Sequence, residues 1–262
     1  MAKPRETALA TAVNEQPTAL VPVSPDDDLL AYAGAGTDLI RPSDVRPPRL
    51  SLCQDGTPQR KRGNPKYIEG LEDGMYFNSL SQEIYGRGPL PIIVIQKLKT
   101  NYMLFTPGEL GKVLDYDIPE GDPRTRPTLG PDGKWAAKPV ATQFDNYLIL
   151  LPNTGEVMTL SFKSTALASA RQLDSFLAYP MKVGAMILTQ PPAWARTYHL
   201  TTGTKSGAGN TWTIPKVNLA GTTAPDLRAA AASLFDQYAK VTVVVDPEGH
   251  AEDVPDDDTV PF

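Results

Sequence analysis

Between Leu90 and Lys216 the chain repeatedly sets a cation beside an aromatic ring, the pairing that holds unpaired nucleic acid. Lysine and arginine neutralise phosphates, and ring faces stack on bases at roughly 1–3 kcal/mol per base, both without regard to sequence. Lys97, Lys99 and Tyr102 supply both groups within "LPIIVIQKLKTNYMLF". Trp194, Arg196 and Tyr198 alternate through "WARTYHLTT", a spacing that puts them on one face of a strand. Trp212 and Lys216, four residues apart in "NTWTIPKVNL", could do the same on the partner strand, and Tyr147 sits in "FDNYLILL". Arg124, Arg126, Lys134, Trp135 and Lys138 crowd into a Pro- and Gly-rich stretch, and Lys205 lies in "GTKSGAG". Every ring on a strand has a plainer use, which is to fill a core.

Catalytic patterns are weaker. The sequence has no Gly-x4-Gly-Lys-Ser/Thr loop, no HExxH and no GxSxG. "GTKSGAG" lacks phosphate-loop spacing and reads as a flexible hairpin loop. Asp145, Glu156 and Lys163 faintly suggest a metal-dependent nuclease, without the close acid-x-Lys pairing such a site needs. The expectation is a protein that is not an enzyme, with no catalytic residue, no metal and no cofactor.

These side chains need a scaffold, and residue periodicity outlines one. "MYFNSLSQEIYG" reads as a hairpin, and Leu90 to Phe105 as a strand long enough to bend across a barrel. A long loop follows, from Thr106 to Thr142. "FDNYLILL" and "EVMTLSF" flank "PNTG" and form a second hairpin. "KSTALASARQLDSFLAY" turns to helical spacing, with Ala166, Ala170, Leu173 and Leu177 on one stripe, Ser164 or Thr165 as N-cap and Pro180 beyond its end. "WARTYHLTT" and "NTWTIPKVNL" are two further strands, joined by a loop from Gly203 to Gly209. "APDLRAAAASLFDQYAK" is an alanine-rich helix begun by Pro225 and Asp226, after which "VTVVV" suits a short strand. A helix between the third and fourth of five strands is the element order of an OB-fold. The predicted class is therefore mainly β with α, a β-barrel of order β-β-β-α-β-β plus an N-terminal hairpin and a C-terminal helix. OB-folds bind oligonucleotides on strands 2 and 3 and on the loops joining strands 1–2 and 4–5, here the two loops that hold Trp135 and Lys205.

Charge is segregated. The chain of 262 residues carries a net −5, yet residues 1–40 hold six acids against two bases, and residues 246–262 hold seven acids and no base. That leaves 23 of the 25 bases and 17 of the 30 acids in residues 41–245, a net of +6. The predicted organisation is a disordered extension over 1–40, a nucleic-acid-binding core over 41–222, a helix with a short extension over 223–245 and a disordered acidic tail over 246–262. One cysteine, Cys53, allows no internal disulfide, and no run reaches the roughly 18 apolar residues of a membrane span, so the expected location is cytoplasmic.

The chain closes on "PDDDTVPF". Asp256, Asp257 and Asp258 followed by Val260, Pro261 and Phe262 resemble the acidic tip of bacterial single-stranded DNA-binding proteins. In that family the tip docks on replication, recombination and repair enzymes, its phenylalanine entering an apolar pocket. The N-terminal extension, the long 106–142 insertion and the final helix look more like divergent phage-encoded members. What the resemblance implies is a non-catalytic protein that coats single-stranded DNA and recruits partner proteins through its tip. It would act in the host cytoplasm, and its oligomeric state is left open, a homo-oligomer among the options. The alternatives are a DNA-processing nuclease or recombination enzyme, and a phage structural or interaction module without DNA affinity.

Overall fold

The computed structural model describes residues 47–106, 113–116, 118–132, 135–207, 209–239 and 243. Fourteen strands, β1 to β14, and two α-helices lie within them. β9 (Thr142–Leu150) and β10 (Val157–Lys163) form the expected hairpin, paired from Val157↔Leu150 to Lys163↔Phe144. Alternation is weak in β9 because it is buried on both faces. Tyr147 and Ile149 point into the main core, while Leu148 and Leu150 point into a second one. Burial of each such aliphatic side chain stabilises the fold by roughly 1.5–3 kcal/mol.

The stretch from Leu90 to Phe105 bends as expected, breaking into β4 (Leu90–Lys97) and β5 (Asn101–Phe105), both of which pair with β9. A bulge at Val94–Gln96 increases the local twist. β13 (Arg196–Gly207) pairs with the first residues of β4 and with β14 (Asn210–Thr222). On the other side β10 takes β1 (Arg49–Leu52) in parallel, and β1 takes the hairpin of β2 (Tyr76–Asn78) and β3 (Ile84–Gly86). The resulting sheet runs β14-β13-β4-β9-β10-β1-β2-β3. It curls until its ends are bridged by side chains in place of a ladder. The Tyr76 hydroxyl donates to the Thr201 carbonyl at 3.0 Å, Gln54 Nε2 to the Thr213 carbonyl at 2.7 Å, and Thr213 Oγ1 to Asp73 Oδ2 at 2.7 Å.

Helix α1 (Leu167–Ala178) buries Ala170 and Leu173 in the concave core beside Tyr147, Phe162 and Tyr198. Helix α2 (Pro225–Tyr238) lays Leu227, Ala231, Leu234 and Phe235 over Ile93, Ile95, Leu148 and Leu150 on the opposite face. This is a mainly β fold with two helices on a curled sheet, of the barrel-like, OB-type architecture that the element order implied. No helix among the described residues is long and apolar enough to cross a membrane.

Several expectations are corrected. The start of α1 is a 3-10 turn over Ser164–Ala166 with Ala166 as N-cap and no side-chain cap, so neither Ser164 nor Thr165 caps the helix. Thr165 instead accepts from the Trp212 indole. The "loop" from Gly203 to Gly209 is mostly ladder, because β13 and β14 stay paired to Gly207↔Asn210. Part of the 106–142 connection is also ordered: β6 (Val113–Asp115) extends β5, and β7 (Thr128–Leu129) pairs with β8 (Trp135–Ala137). A further small hairpin, β11 (Met181–Val183) with β12 (Met186–Leu188), follows α1 and was not foreseen. Of residues 241–245 only Val243 is described, and it lies outside regular structure. The two predicted terminal extensions, 1–40 and 246–262, lie outside the described residues.

Burial of tyrosines makes the fold sensitive to alkali. Desolvation holds the Tyr76, Tyr147 and Tyr198 hydroxyls above the usual value of 10, Tyr198 at about 12, and Asp174 as hydrogen-bond acceptor pushes Tyr147 further the same way. The folded state therefore keeps protons that the unfolded chain gives up. Stability from these groups is complete below pH 10 and is lost as the pH climbs from there through the folded values. Urea midpoints taken across the alkaline range are expected to hold steady to about pH 10 and then fall, with the absorbance of the buried tyrosinates appearing only on unfolding. Tyrosinate absorbance that develops fully before any loss of structure would contradict the burial.

Candidate nucleic-acid interface

The sequence-expected site residues separate into three sets. The first is core. Tyr147 and Tyr198 are 0% and 1% exposed, so neither offers a face to a base, and Tyr198 stacks on Phe176. Arg196 is buried, donating to the carbonyls of Phe176 at 2.8 Å and Pro180 at 2.9 Å, where it ties the end of α1 to β13. Trp194 packs on Phe235 of α2, ring centroids 4.9 Å apart, and does not share a face with Tyr198. Trp194, Arg196 and Tyr198 are corrections to the alternation read from "WARTYHLTT", and Tyr147 to the reading of "FDNYLILL": none of the four presents an open ring or cation on an outer strand face.

The second set is cations already engaged by carboxylates. Lys97 Nζ lies 2.6 Å from Asp174 of α1, whose other oxygen accepts from Tyr147, and it sits 5.6 Å from the Tyr147 ring centre. Arg124 bridges Asp115 at 2.8 Å and Asp122 at 2.9 Å. Its guanidinium, with the Arg124 backbone N–H, pulls Asp122 down to about 2. Lys99 is exposed and Tyr102 half-buried near this end of the sheet, with Arg126 and Lys138 exposed on the 118–141 segment. Lys134 and the Trp135 side chain lie outside the described residues, as do Asp256, Asp257, Asp258, Val260, Pro261 and Phe262.

The third set is brought together. Paired residues of an antiparallel ladder share a face, and here Lys205↔Trp212, Gly203↔Ile214 and Thr201↔Lys216 all lie on the face opposite Leu200 and Val217. Lys205, Trp212 and Lys216 thus form one outward row on the β13–β14 hairpin, with both lysines exposed and the indole half-exposed. Two glycines of the segment expected to be a flexible loop shape this row. A Cβ at Gly203 would overlap the Lys216 side chain, and one at Gly207 would stand 3.1 Å from the Trp212 ring. The lysine stem and the indole therefore lie flat across β13 in a shallow trough. The signal was present as two glycines four residues apart, which in a strand share a face, but it speaks only once the segment is known to be a strand. Trp212 Nε1 donates to Thr165 Oγ1 at 3.0 Å, and the neighbouring Thr213 is held by Gln54 and Asp73, so the row rests on a braced hairpin.

The two arms expected to flank an OB-type groove leave the sheet at opposite ends. β13 pairs with β4 only up to Leu200↔Leu90 and then runs beyond it, whereas the connection from β5 departs from the far end of β9. Between them, part of the outer face of β4 and β9 is covered by α2. Asp145 is bonded by Thr100 and Gln143, and Glu156 by Asn78, Tyr85 and Thr154. The two acids stand about 20 Å apart along the hairpin, so the faint nuclease pattern is not assembled.

A family model described as Pam3 phage gp34-like protein matches residues 17–244. Neither the curated proteins nor the solved structures yield a match.

Two glycines test the packing described here. Gly203→Ala collides only with the mobile end of Lys216, so its stability is expected to stay within about 1 kcal/mol of the parent. Gly88→Ala meets the backbone carbonyl of Leu200 from a φ of +87° and is expected to lose roughly 1–3 kcal/mol or more. Equal urea midpoints for the two variants would show that Gly88 is not wedged against β13.

Proposed function

We propose that this chain, which belongs to the Pam3 phage gp34-like family, is a non-catalytic phage protein that binds single-stranded DNA without sequence preference. The observation that carries the reading is the row of Lys205, Trp212 and Lys216 on one face of the hairpin joining the fourth and fifth barrel strands. That is where an OB-type fold engages an oligonucleotide. The chemistry matches the ligand: a half-exposed indole offers a stacking face, and two exposed lysines, Lys205 across the same rung and Lys216 further along the row, supply charge for phosphates. The basic balance of residues 41–245 adds long-range attraction for a polyanion. Lys99, Tyr102, Arg126 and Lys138 lie at the other end of the sheet and would meet a separate stretch of the strand. In this reading Tyr147, Arg196 and Tyr198 hold the scaffold, while Lys97 and Arg124 are spent on carboxylates. The tail carrying Asp256–Asp258 and Val260–Phe262 recruits partner replication, recombination or repair proteins, a role supported by its likeness to the acidic tip of bacterial single-stranded DNA-binding proteins.

Fluorescence anisotropy with a labelled oligo-dT, titrated at low and moderate salt, is the test. Wild-type protein should bind, more weakly as salt rises. Trp212→Ala should cost about 1–3 kcal/mol, five- to over a hundredfold in affinity. The Lys205→Ala/Lys216→Ala pair should flatten the salt slope by about 1.4. Circular dichroism and urea midpoints establish that each variant is folded. Absence of binding by the wild type removes the proposal, magnesium-dependent cleavage of the oligonucleotide replaces it with a nuclease, and full affinity in folded Trp212→Ala moves the site off the hairpin.

A further inference from the structure

The longest run of cations in the chain, Arg60-Lys61-Arg62, lies outside the hairpin row. Residues 57–68 hold four bases and no acid, and they belong to the loop between β1 and β2. Its ends are tied together, the Cys53 N–H donating to the Met75 carbonyl at 2.8 Å and the Gly74 N–H to the Cys53 carbonyl at 2.9 Å. Cys53, Ile68, Leu71 and Phe77 form a small core of its own beneath it, and the Ile68 N–H reaches the Gln59 carbonyl at 2.8 Å. Three of the four acids between Gln54 and Gly74 help to hold the loop in place. Asp55 pairs with Arg60 at 2.6 Å, Glu72 with Arg87 at 2.9 Å, and Asp73 accepts from Thr213 at 2.7 Å. Lys61 and Arg62 are exposed, and neither meets a carboxylate among the described residues.

This loop borders the row. Gln54 Nε2 donates to the carbonyl of Thr213, the residue after Trp212, at the free edge of β14. From Gln54 the chain makes successive turns, the Thr57 N–H bonding the Gln54 carbonyl at 3.0 Å and the Lys61 N–H the Pro58 carbonyl at 2.9 Å. Each such turn is at most about 7 Å across, so the Lys61 backbone stays within about 18 Å of Gln54, a span of a few nucleotides. We propose that Lys61 and Arg62 are a second phosphate-binding arm, onto which a single strand seated on Lys205, Trp212 and Lys216 continues past the edge of β14. The inference rests on the proposed binding of single-stranded DNA and adds to it a site and a path. A phosphate backbone carries a charge at every nucleotide, so a strand that leaves the indole toward this edge brings phosphates to the loop without further ordering of the protein. The closed, braced loop holds both cations ready at little entropic cost.

Anisotropy of a labelled oligo-dT of about 20 nucleotides, longer than the roughly 4–16 that one OB fold covers, tests it over a range of salt. The Lys61→Ala/Arg62→Ala pair should flatten the slope of log K against log salt by about 1.4, two phosphates at roughly 0.7 each. Lys182→Ala/Arg228→Ala removes the same charge from exposed positions on β11 and α2 and should leave the slope as in the parent. Circular dichroism checks folding, and Lys61→Gln/Arg62→Gln replaces the alanine pair should that misfold. A loop pair with the parent's slope overturns the proposal. So does a control pair that flattens the slope equally, since the loop would then act through net charge alone. Where Trp212→Ala weakens binding and the loop pair does not, the loop is struck and the hairpin stands; a wild type that binds no oligonucleotide removes both. Capture of a labelled poly-glutamate peptide, lost in the loop pair while its oligo-dT slope is unchanged, would assign the loop to an acidic protein and equally overturn the proposal.

Discussion

Two-sided burial of β9 is the constraint on which the rest of the molecule depends. One face of the strand closes the concave core with α1, and the other carries α2, so neither can shift without exposing leucine or isoleucine. Apolar burial alone would tolerate a slip of two residues, since alternation repeats with that period. Asn146 removes the freedom. Fully buried, it donates to the carbonyls of Lys99 and Phe144 and accepts from Ser161, and a slipped register would leave these groups unpaired. With β9 locked, β4 and β5 are set against one edge and β10 against the other, and the placement of β13 follows from β4.

That arrangement decides where a polyanion can be met. An OB-type barrel ordinarily leaves the outer face of its second and third strands open, but here α2 occupies part of it. The exposed cations lie instead at the flanks. On the β13–β14 side the glycines at 203 and 207 remove the side chains that would lift Lys216 and Trp212 off the ladder, and the sheet-closing bonds from Gln54, Tyr76 and Asp73 stiffen the base of the hairpin. An indole held by its own N–H keeps a ring face available at little entropic cost.

The sequence disclosed those parts of the fold that rest on local periodicity. Residues 142–163 and the helices begun near Leu167 and Pro225 announce themselves because turn chemistry and apolar spacing agree there. Strand β1 was hidden: four residues, "RLSL", follow closely on three prolines and gain their structure only from pairing with β10 and β2. The Gly203–Gly207 segment was misread as loop since glycine is a turn signal in isolation, whereas its conformation here is imposed by the cross-strand partner. For the site, residue type was legible and facing was not. Tyr198 and Trp212 carry similar neighbours in sequence, yet one is core and the other surface, because the inward face of β13 is set by where β4 lies.

The same distinction applies to charge. A net of +6 over residues 41–245 is a sum over side chains, but attraction for phosphate depends on which cations remain uncommitted. Arg60, Arg87, Lys97 and Arg124 are each matched to a carboxylate at 2.6–2.9 Å, so a strand approaching them must first displace a partner. Lys205 and Lys216 stand with no acid in contact among the described residues, in one row with the Trp212 ring. Under the proposed binding of single-stranded DNA, long-range steering would draw on the whole excess and the grip at contact chiefly on these few groups. The cations already matched to carboxylates are therefore distinct from the short outward row of lysines left open to a ligand.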